Sequence, residues 1–350
     1  MNLRQLSELL DLSQTTVSRA LNGYPEVREQ TRTRVLRAAQ AHGYSPNARA
    51  RSLATGRSMA IAHVIPMRSR NEMLNVVFSD FIAGAGEVYG ERGYSMMVSV
   101  VPDGEETDAY RRIAQQGTAD GFVVHIPTRD DPRLPLLTDL GVPFVVHGRS
   151  TGFEGDYTWL DVNNRRAIER ATRYLIDLGH RRIGFINGPE HMDFALRRRE
   201  GYLAALAAAS IADDADLMAS GQMTEPNGFA ATETKLNLPA PPTAFISSAI
   251  VPTLGIRRAV EARKLRLRRD VSVICFDDCI SVLPNGGPEG PIFTAARSSV
   301  QDAGRLCAHM LIDRIEQPDR PHEHVLWEAD LVLGDSTGVA PGRPNDRHQY

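Results

Sequence analysis

The stretch Leu12-Ser13-Gln14-Thr15-Thr16-Val17-Ser18-Arg19-Ala20-Leu21-Asn22-Gly23 reads as a short helix between two punctuation marks. Ser13 is a good N-cap, Val17, Ala20 and Leu21 recur at helical spacing on one side, and Asn22-Gly23 is a stop signal. The remaining surface carries Gln14, Thr15, Ser18 and Arg19, three short or flexible polar groups and a guanidinium able to reach base edges or grip a phosphate. Upstream, Leu3, Leu6, Leu9 and Leu10 mark a first helix, and Asp11-Leu12-Ser13 has the length of a helix-turn-helix corner. An ordinary surface hairpin of two helices shares this outline, so the surrounding sequence has to decide.

Charge is informative once the chain is divided. Residues 1–57 hold nine Arg against four acids, a balance of +5, whereas the remainder carries −8 of the total −3. A small basic head on a larger acidic body suggests that only the head meets a polyanion. Arginine fills 38 of the 40 basic positions along the whole chain, so this preference marks no particular site. At 350 residues, with 42% hydrophobic and 24% charged residues, the chain has the composition of an ordinary globular protein of two or three domains. No stretch approaches the roughly 18 uncharged apolar residues of a membrane helix, and the N-terminus has no signal-peptide pattern, so a cytoplasmic location is expected. Cys275, Cys279 and Cys307 lack metal-ligand spacing and read as reduced, structural thiols.

After Tyr24-Pro25-Glu26-Val27 the pattern predicts a third helix from about Thr31 to Ala41, with Val35, Ala38, Ala39 and His42 facing inward and Gly43 ending it. The expected head core is Leu6, Leu9, Val17, Leu21, Val35 and Ala38. Then comes Tyr44-Ser45-Pro46-Asn47-Ala48-Arg49-Ala50-Arg51-Ser52-Leu53-Ala54-Thr55-Gly56. Pro46 forces Ser45 out of the helical region, and Ala48 to Ala54 is barely two turns of good helix formers, too short to persist alone in water. It is a linker, or a helix that forms only against a partner.

Taken together, the run from Leu12 to Asn22, Val27, Thr31-Arg32 and the segment Gly43 to Ala54 resemble the head piece and hinge of the LacI/GalR transcriptional regulators, and the resemblance extends to about residue 338. It implies a second helix lying in the major groove and paired hinge helices in the minor groove. By position, Gln14 and Thr15 would read bases, Thr16 and Arg19 would contact base or backbone, and Asn22 and Asn47 would touch phosphate. Ala50 would lie along the minor groove, and Leu53 would wedge into the central base step, a suitable task for an exposed Leu on a marginal helix. Arg28 departs from the family, which usually has a small N-capping residue there.

From Met59 onward short apolar runs, among them Ile61–Pro66, Phe122–Ile126, Ile183–Asn187 and Val271–Phe276, alternate with amphipathic helical stretches. This alternation means βαβ units and parallel sheets, with ligands expected at the carboxyl ends of the strands. The fold class expected is therefore an all-α helix-turn-helix head plus an α/β body. The resemblance makes that body two-lobed and periplasmic-binding-protein-like, crossed three times by the chain. It implies residues 1–45 as the DNA-binding domain, 46–57 as the hinge helix, 59–161 with 291–323 as lobe one, and 162–290 with 324–339 as lobe two. Residues 340–350 form an expected disordered tail. His180, in Leu178-Gly179-His180-Arg181, suits a helix C-terminus and is assigned no ligand.

The resemblance also implies effector residues. Arg198 matches the family arginine that binds ligand oxygens, and Asp277 matches the aspartate after a lobe-two strand. A guanidinium and a carboxylate converging on one cleft suit a polyol, whose hydroxyls donate and accept together. His125, Phe194, Met223 and Ser298 are further candidates for the same wall. Ser248-Ala249-Ile250 stands where the family usually has an asparagine-aspartate pair, so the usual effector cannot be assumed.

These features lead to a ligand-responsive DNA-binding regulator. It is expected to be a homodimer on a pseudopalindromic operator, a repressor of carbohydrate uptake or catabolism genes, without cofactor or membrane partner. The effector expected from the resemblance is a sugar, an α-glucoside or related disaccharide. Two other classes stand beside it: a cytoplasmic sugar-binding protein without a DNA-binding role, and an enzyme using Asp277, Asp278 and His125 as an acid/base set. The basic head argues against the first. The second lacks any nucleophile motif, phosphate loop or metal cluster.

Overall fold

The structure, a computed structural model, describes residues 1–21, 24–44, 56–67 and 76–342. It comprises two compact units, Met1–Met59 and Ala60–Tyr350. In the first, α1 (Leu3–Leu10) starts at a capping box in which Asn2 and Gln5 satisfy each other's backbone amides. Asp11, in the left-handed region at φ 52°, turns the corner. Ser13 Oγ then accepts the Thr16 amide at 3.0 Å and opens α2 (Gln14–Leu21). The third helix, α3 (Glu29–Ala41), begins at Arg28 without any side-chain cap.

The head core is Leu6, Leu10, Val17, Ala20, Val35 and Ala39, with Leu21 and Ala38 partly buried beside it. Two expected members fall elsewhere. Leu9 is 52% exposed because the inward stripe runs Leu3, Leu6, Leu10, and His42 is exposed because it is the cap beyond the last turn. The hinge at 46–55 lies outside the described residues, as do Asn22, Asn47, Ala50 and Leu53.

The body contains two six-stranded sheets. The first runs through β1 (Ala60–Met67), α4 (Val76–Arg92), β2 (Ser95–Pro102), α5 (Glu106–Gln116), β3 (Gly121–His125), α6 (Arg133–Asp139), β4 (Phe144–His147) and β5 (Thr158–Val162). The second runs through α7 (Asn164–Asp177), β6 (Ile183–Asn187), α8 (Asp193–Ala208), β7 (Met218–Ser220), α9 (Glu225–Leu236), β8 (Ala244–Ser247), α10 (Ile250–Ala262), β9 (Ser272–Asp277) and β10 (Thr294–Arg297). The chain then returns through α11 (Val300–Glu316), β11 (His324–Trp327) and β12 (Asp330–Val332).

The sheet orders are β11-β5-β4-β3-β1-β2 and β12-β10-β9-β8-β6-β7, one topology used twice. Every pairing is parallel except β10 with β12. Central strands are buried throughout, which is why Gly121–His125 and Ile183–Asn187 read as continuous runs rather than alternations. In lobe one, α4 and α11 approach so closely that a Cβ at Gly304 would lie 2.1 Å from the Phe81 carbonyl oxygen.

The topology corrects the expected lobe boundaries. Strand β10 belongs to the lobe-two sheet and β11 to the lobe-one sheet, so the second and third crossings fall near residues 298 and 328 rather than at 290 and 323. A strand and the helix after it can serve different lobes, which apolar patterning does not reveal. Ala340, counted in the expected tail, is tied to the body, its amide donating to the Leu178 carbonyl at 2.9 Å. Residues 343–350 lie outside the described set. His180 pins strand beginnings together through Thr243 Oγ1 at 2.8 Å and Ser272 Oγ at 2.9 Å.

Candidate functional site

On the head, the buried side of α2 is fixed by Val17 and Ala20, which leaves Gln14, Thr15 and Arg19 exposed. None of the three has a protein partner among the described residues. Thr16 is partly buried and shares a 2.8 Å hydrogen bond with the Ser13 hydroxyl, so it is first a helix-start residue. Two other head arginines serve the fold: Arg34 donates to the Leu10 carbonyl at 2.9 Å and Arg32 to the Tyr24 carbonyl at 2.7 Å. Arg19 is thus an exposed cation on the helix, without a side-chain partner among the described residues.

In the body, the carboxyl ends of the two sheets meet. The loops after β3 and β4 touch the start of α8: the Asp193 amide donates to the Pro127 carbonyl at 3.1 Å, and Thr128 bridges Met192. Asp193 Oδ1 accepts the Thr151 hydroxyl at 2.8 Å, its Oδ2 accepts the Thr151 amide, and Arg197 reaches Thr151 Oγ1 at 3.0 Å. On another side Asp80 of α4 accepts both the amide and the hydroxyl of Ser281 in lobe two, at 2.6 and 2.7 Å.

Arg198 lies on the buried side of α8, 6% exposed. Its guanidinium carbon is 3.7 Å from the Phe276 ring centroid and 4.8 Å from that of Phe194. Nε donates to Asn164 Oδ1 at 2.8 Å, and Nη1 donates to the Ser248 carbonyl. Burial pulls the guanidinium down to about 10, opposed by the negative charges of Asp278 and Asp161. Asp278 in turn is pushed up to about 6 by burial, with Arg198 pulling the other way. Two buried acceptors in lobe two, Asn187 Oδ1 and Ser248 Oγ, lack a hydrogen-bond partner among the described residues. Buried polar atoms left open in this way call for an external partner.

The structure distributes the other sequence-derived candidates unevenly. Phe194 and Met223 come together around Gly188, whose missing Cβ would lie 3.1 Å from Phe194 Cζ and 3.3 Å from Met223 Sδ. Asp277 does not join Arg198: Oδ1 accepts the Cys279 amide at 2.9 Å, and the residue lines a separate cavity of about 390 Å³ with Cys279 and Arg297. Its neighbour Asp278 is, with Asp161, a carboxylate that Arg198 feels. Ser298 sits at the second crossing, its amide donating to the Asp277 carbonyl at 2.9 Å. His125 packs within lobe one, with Nε2 2.9 Å from His63 Nδ1 and its ring edge-on to Phe78 and Phe81. Burial and the neighbouring His63 hold His125 well below the usual imidazole range.

Sequence reasoning passed over Asn164 and Asp161. In the structure Asn163 alone caps α7, accepting the Arg166 amide at 3.2 Å, which leaves Asn164 available to other partners.

A helix-turn-helix that exposes Gln14, Thr15 and Arg19, and a two-lobed body with a desolvated arginine where its sheets meet, define the class of ligand-binding transcriptional regulators. The comparisons agree. The pattern described as "Bacterial regulatory proteins, lacI family" matches residues 8–47, and that described as "Periplasmic binding protein-like domain" matches residues 172–337. The HTH-type transcriptional regulator AglR of Rhizobium meliloti (strain 1021) is 43% identical over 343 residues, covering 98% of this chain and 96% of its own. CelR of Thermobifida fusca is 30% identical over 335 residues, covering 95% and 97%. Among solved structures, the CelR–cellobiose complex matches with TM-score 0.71 and 28% identity over 96% of this chain and 99% of its own. The operator-bound Lac repressor dimer shares the fold, with TM-score 0.79 at 22% identity over 96% and 99%. The chain belongs to the lacI family and is a helix-turn-helix transcriptional regulator.

Proposed function

We propose that the chain is a sugar-responsive repressor, acting in the cytoplasm as a homodimer on a pseudopalindromic operator and binding its effector without transforming it. The observation carrying this reading is the Arg198 site. A planar cation between two aromatic rings, a half-buried carboxyl group and two open buried acceptors form the mixed donor and acceptor set that a polyol satisfies. Effector contacts are assigned to Arg198, Asp278, Phe194, Met223, Asn187 and Ser248. Asp277, His125 and Ser298 take supporting positions. An α-glucoside or related disaccharide is the proposed effector, a size of ligand supported by the cellobiose bound to CelR.

For the head, Gln14, Thr15 and Arg19 are the proposed base and phosphate contacts, Thr16 orders the helix start, and Asn22, Asn47, Ala50 and Leu53 complete the interface. Pairing of two copies has a surface to use: Val98 and Val100 are exposed on the edge strand β2 and Met67 at the end of its neighbour β1. No helix among the described residues is long and apolar enough to cross a membrane. The test is fluorescence anisotropy on duplexes recovered by genome-wide selection, with maltose, sucrose, trehalose and cellobiose added in turn. Binding that weakens with salt, requires residues 1–57 and shifts with one of these sugars supports the reading. Salt-independent binding, or binding retained by the isolated body, overturns it.

A further inference from the structure

We propose that Asn164 is the positioning residue that ties Arg198 to the joint between the lobes, so that engagement of Arg198 is felt as a change in lobe angle. The proposal rests on the reading that Arg198 touches the effector, and its geometry is independent of which sugar that is.

Three groups meet at Asn164, which is 3% exposed and opens α7 directly after the first crossing from lobe one. Its Oδ1 accepts Arg198 Nε at 2.8 Å from lobe two. Its Nδ2 donates to Asp161 Oδ1 at 3.2 Å and to the Val162 carbonyl at 2.9 Å, both on β5, the lobe-one strand that leads into the first crossing. Asp161 is held on its other oxygen by Arg149 Nε at 2.8 Å. A continuous polar chain therefore runs Arg149–Asp161–Asn164–Arg198, from lobe one through the crossing to the cation of lobe two.

The crossing itself is braced at this point. The Asn163 amide donates to the Trp327 carbonyl at 2.8 Å, and Asn163 Nδ2 reaches Glu328 Oε1 at 2.9 Å, which ties the first crossing to the third. Any rotation of Arg198 that draws Nε from Asn164 must break a charge-assisted hydrogen bond in a desolvated place, or carry Asn164 and its hold on β5 with it. Both responses act on the segment that lobe closure has to bend. Asn163 already caps α7, so Asn164 is free of that duty.

The experiment is a double-mutant cycle in the full chain with Cys279→Ser, carrying nitroxide labels at positions 105 and 240. Interlobe distances are measured by pulsed dipolar spectroscopy without sugar. Asn164→Ala and Arg198→Ala are each expected to shift the distance distribution in the same direction, and the double variant no further. Asn164→Ser serves as the second variant should the alanine form fold poorly. Equal shifts from the Asn164 change with and without Arg198, or no shift, overturn the proposal. In parallel, the effect of the four sugars on operator affinity is expected to fall about tenfold in Asn164→Ala, the loss of one hydrogen bond to a charged group. A wild-type chain indifferent to all four sugars would overturn the sugar reading, while the sugar-free distances still judge Asn164.

Discussion

Thr151 of lobe one is held by Asp193 of lobe two through both its amide and its hydroxyl, the latter at 2.8 Å. Asp193 is 2% exposed, so the contact is a dry clasp between lobes rather than a surface pairing. Replacing it with Asn exchanges an acceptor oxygen for a donor facing a donor. Asp193→Asn is expected to lower the unfolding free energy of the body by about 1–3 kcal/mol and widen the lobe-angle distribution. Calorimetry and small-angle scattering check this. Unchanged scattering with lowered stability would show the clasp to be local.

The Asp278 carboxyl, held up to about 6, gives sugar binding a pH dependence. If its ionised form accepts sugar hydroxyls, the fraction competent to bind rises roughly tenfold between pH 5 and pH 7. Titration calorimetry with the best-binding sugar is expected to show affinity rising over that interval. Asp278→Asn flattens the profile, whereas Asp277→Asn keeps its shape and moves it to lower pH, because the Asp277 charge helps to hold Asp278 up.

His63 supplies the stability counterpart. It is fully buried between His125 and Tyr89, and burial lowers it to about 4. The unfolded chain takes up a proton near 6.5 while the folded chain refuses it until about 4. Stability is therefore full above pH 6.5 and is lost as pH falls through that window, by about 3 kcal/mol at most. Denaturant midpoints between pH 7 and 4 check the slope, which is expected to be shallower in His63→Phe than in the parent.

In the head, binding and folding arginines should separate. Arg19→Ala is expected to weaken operator binding at least tenfold and leave the melting temperature of the head unchanged. Arg34→Ala is expected to lower that temperature, because Arg34 satisfies the last carbonyl of α1. Ser13→Ala removes the cap of α2 at a cost of about 1 kcal/mol. Anisotropy paired with circular dichroism on the same variants distinguishes the two groups.

The central strands and the three head helices were legible because uniform burial writes uniform apolar runs and because caps and glycines punctuate helices. β5, β7, β11 and β12 were not, being short and partly polar. The second and third lobe crossings were misplaced because sheet membership is decided by pairing partners, which apolar patterning does not name: β10 pairs with β9 and β11 with the distant β5. At the site, Arg198 could be placed by resemblance. The choice between Asp277 and Asp278 could not, because it turns on where β9 ends and which carboxylate the Cys279 amide captures. Asn164 carried no mark of its own in the sequence, because the partner that sets it apart, Arg198, lies 34 residues away on α8.

The chain passes between lobes near residues 162, 298 and 328, and a triple strap differs mechanically from a single tether. One strand of polypeptide would let the halves swivel freely. Three alongside one another resist twisting and leave bending as the soft coordinate. A ligand gripping both walls then has a single motion to select.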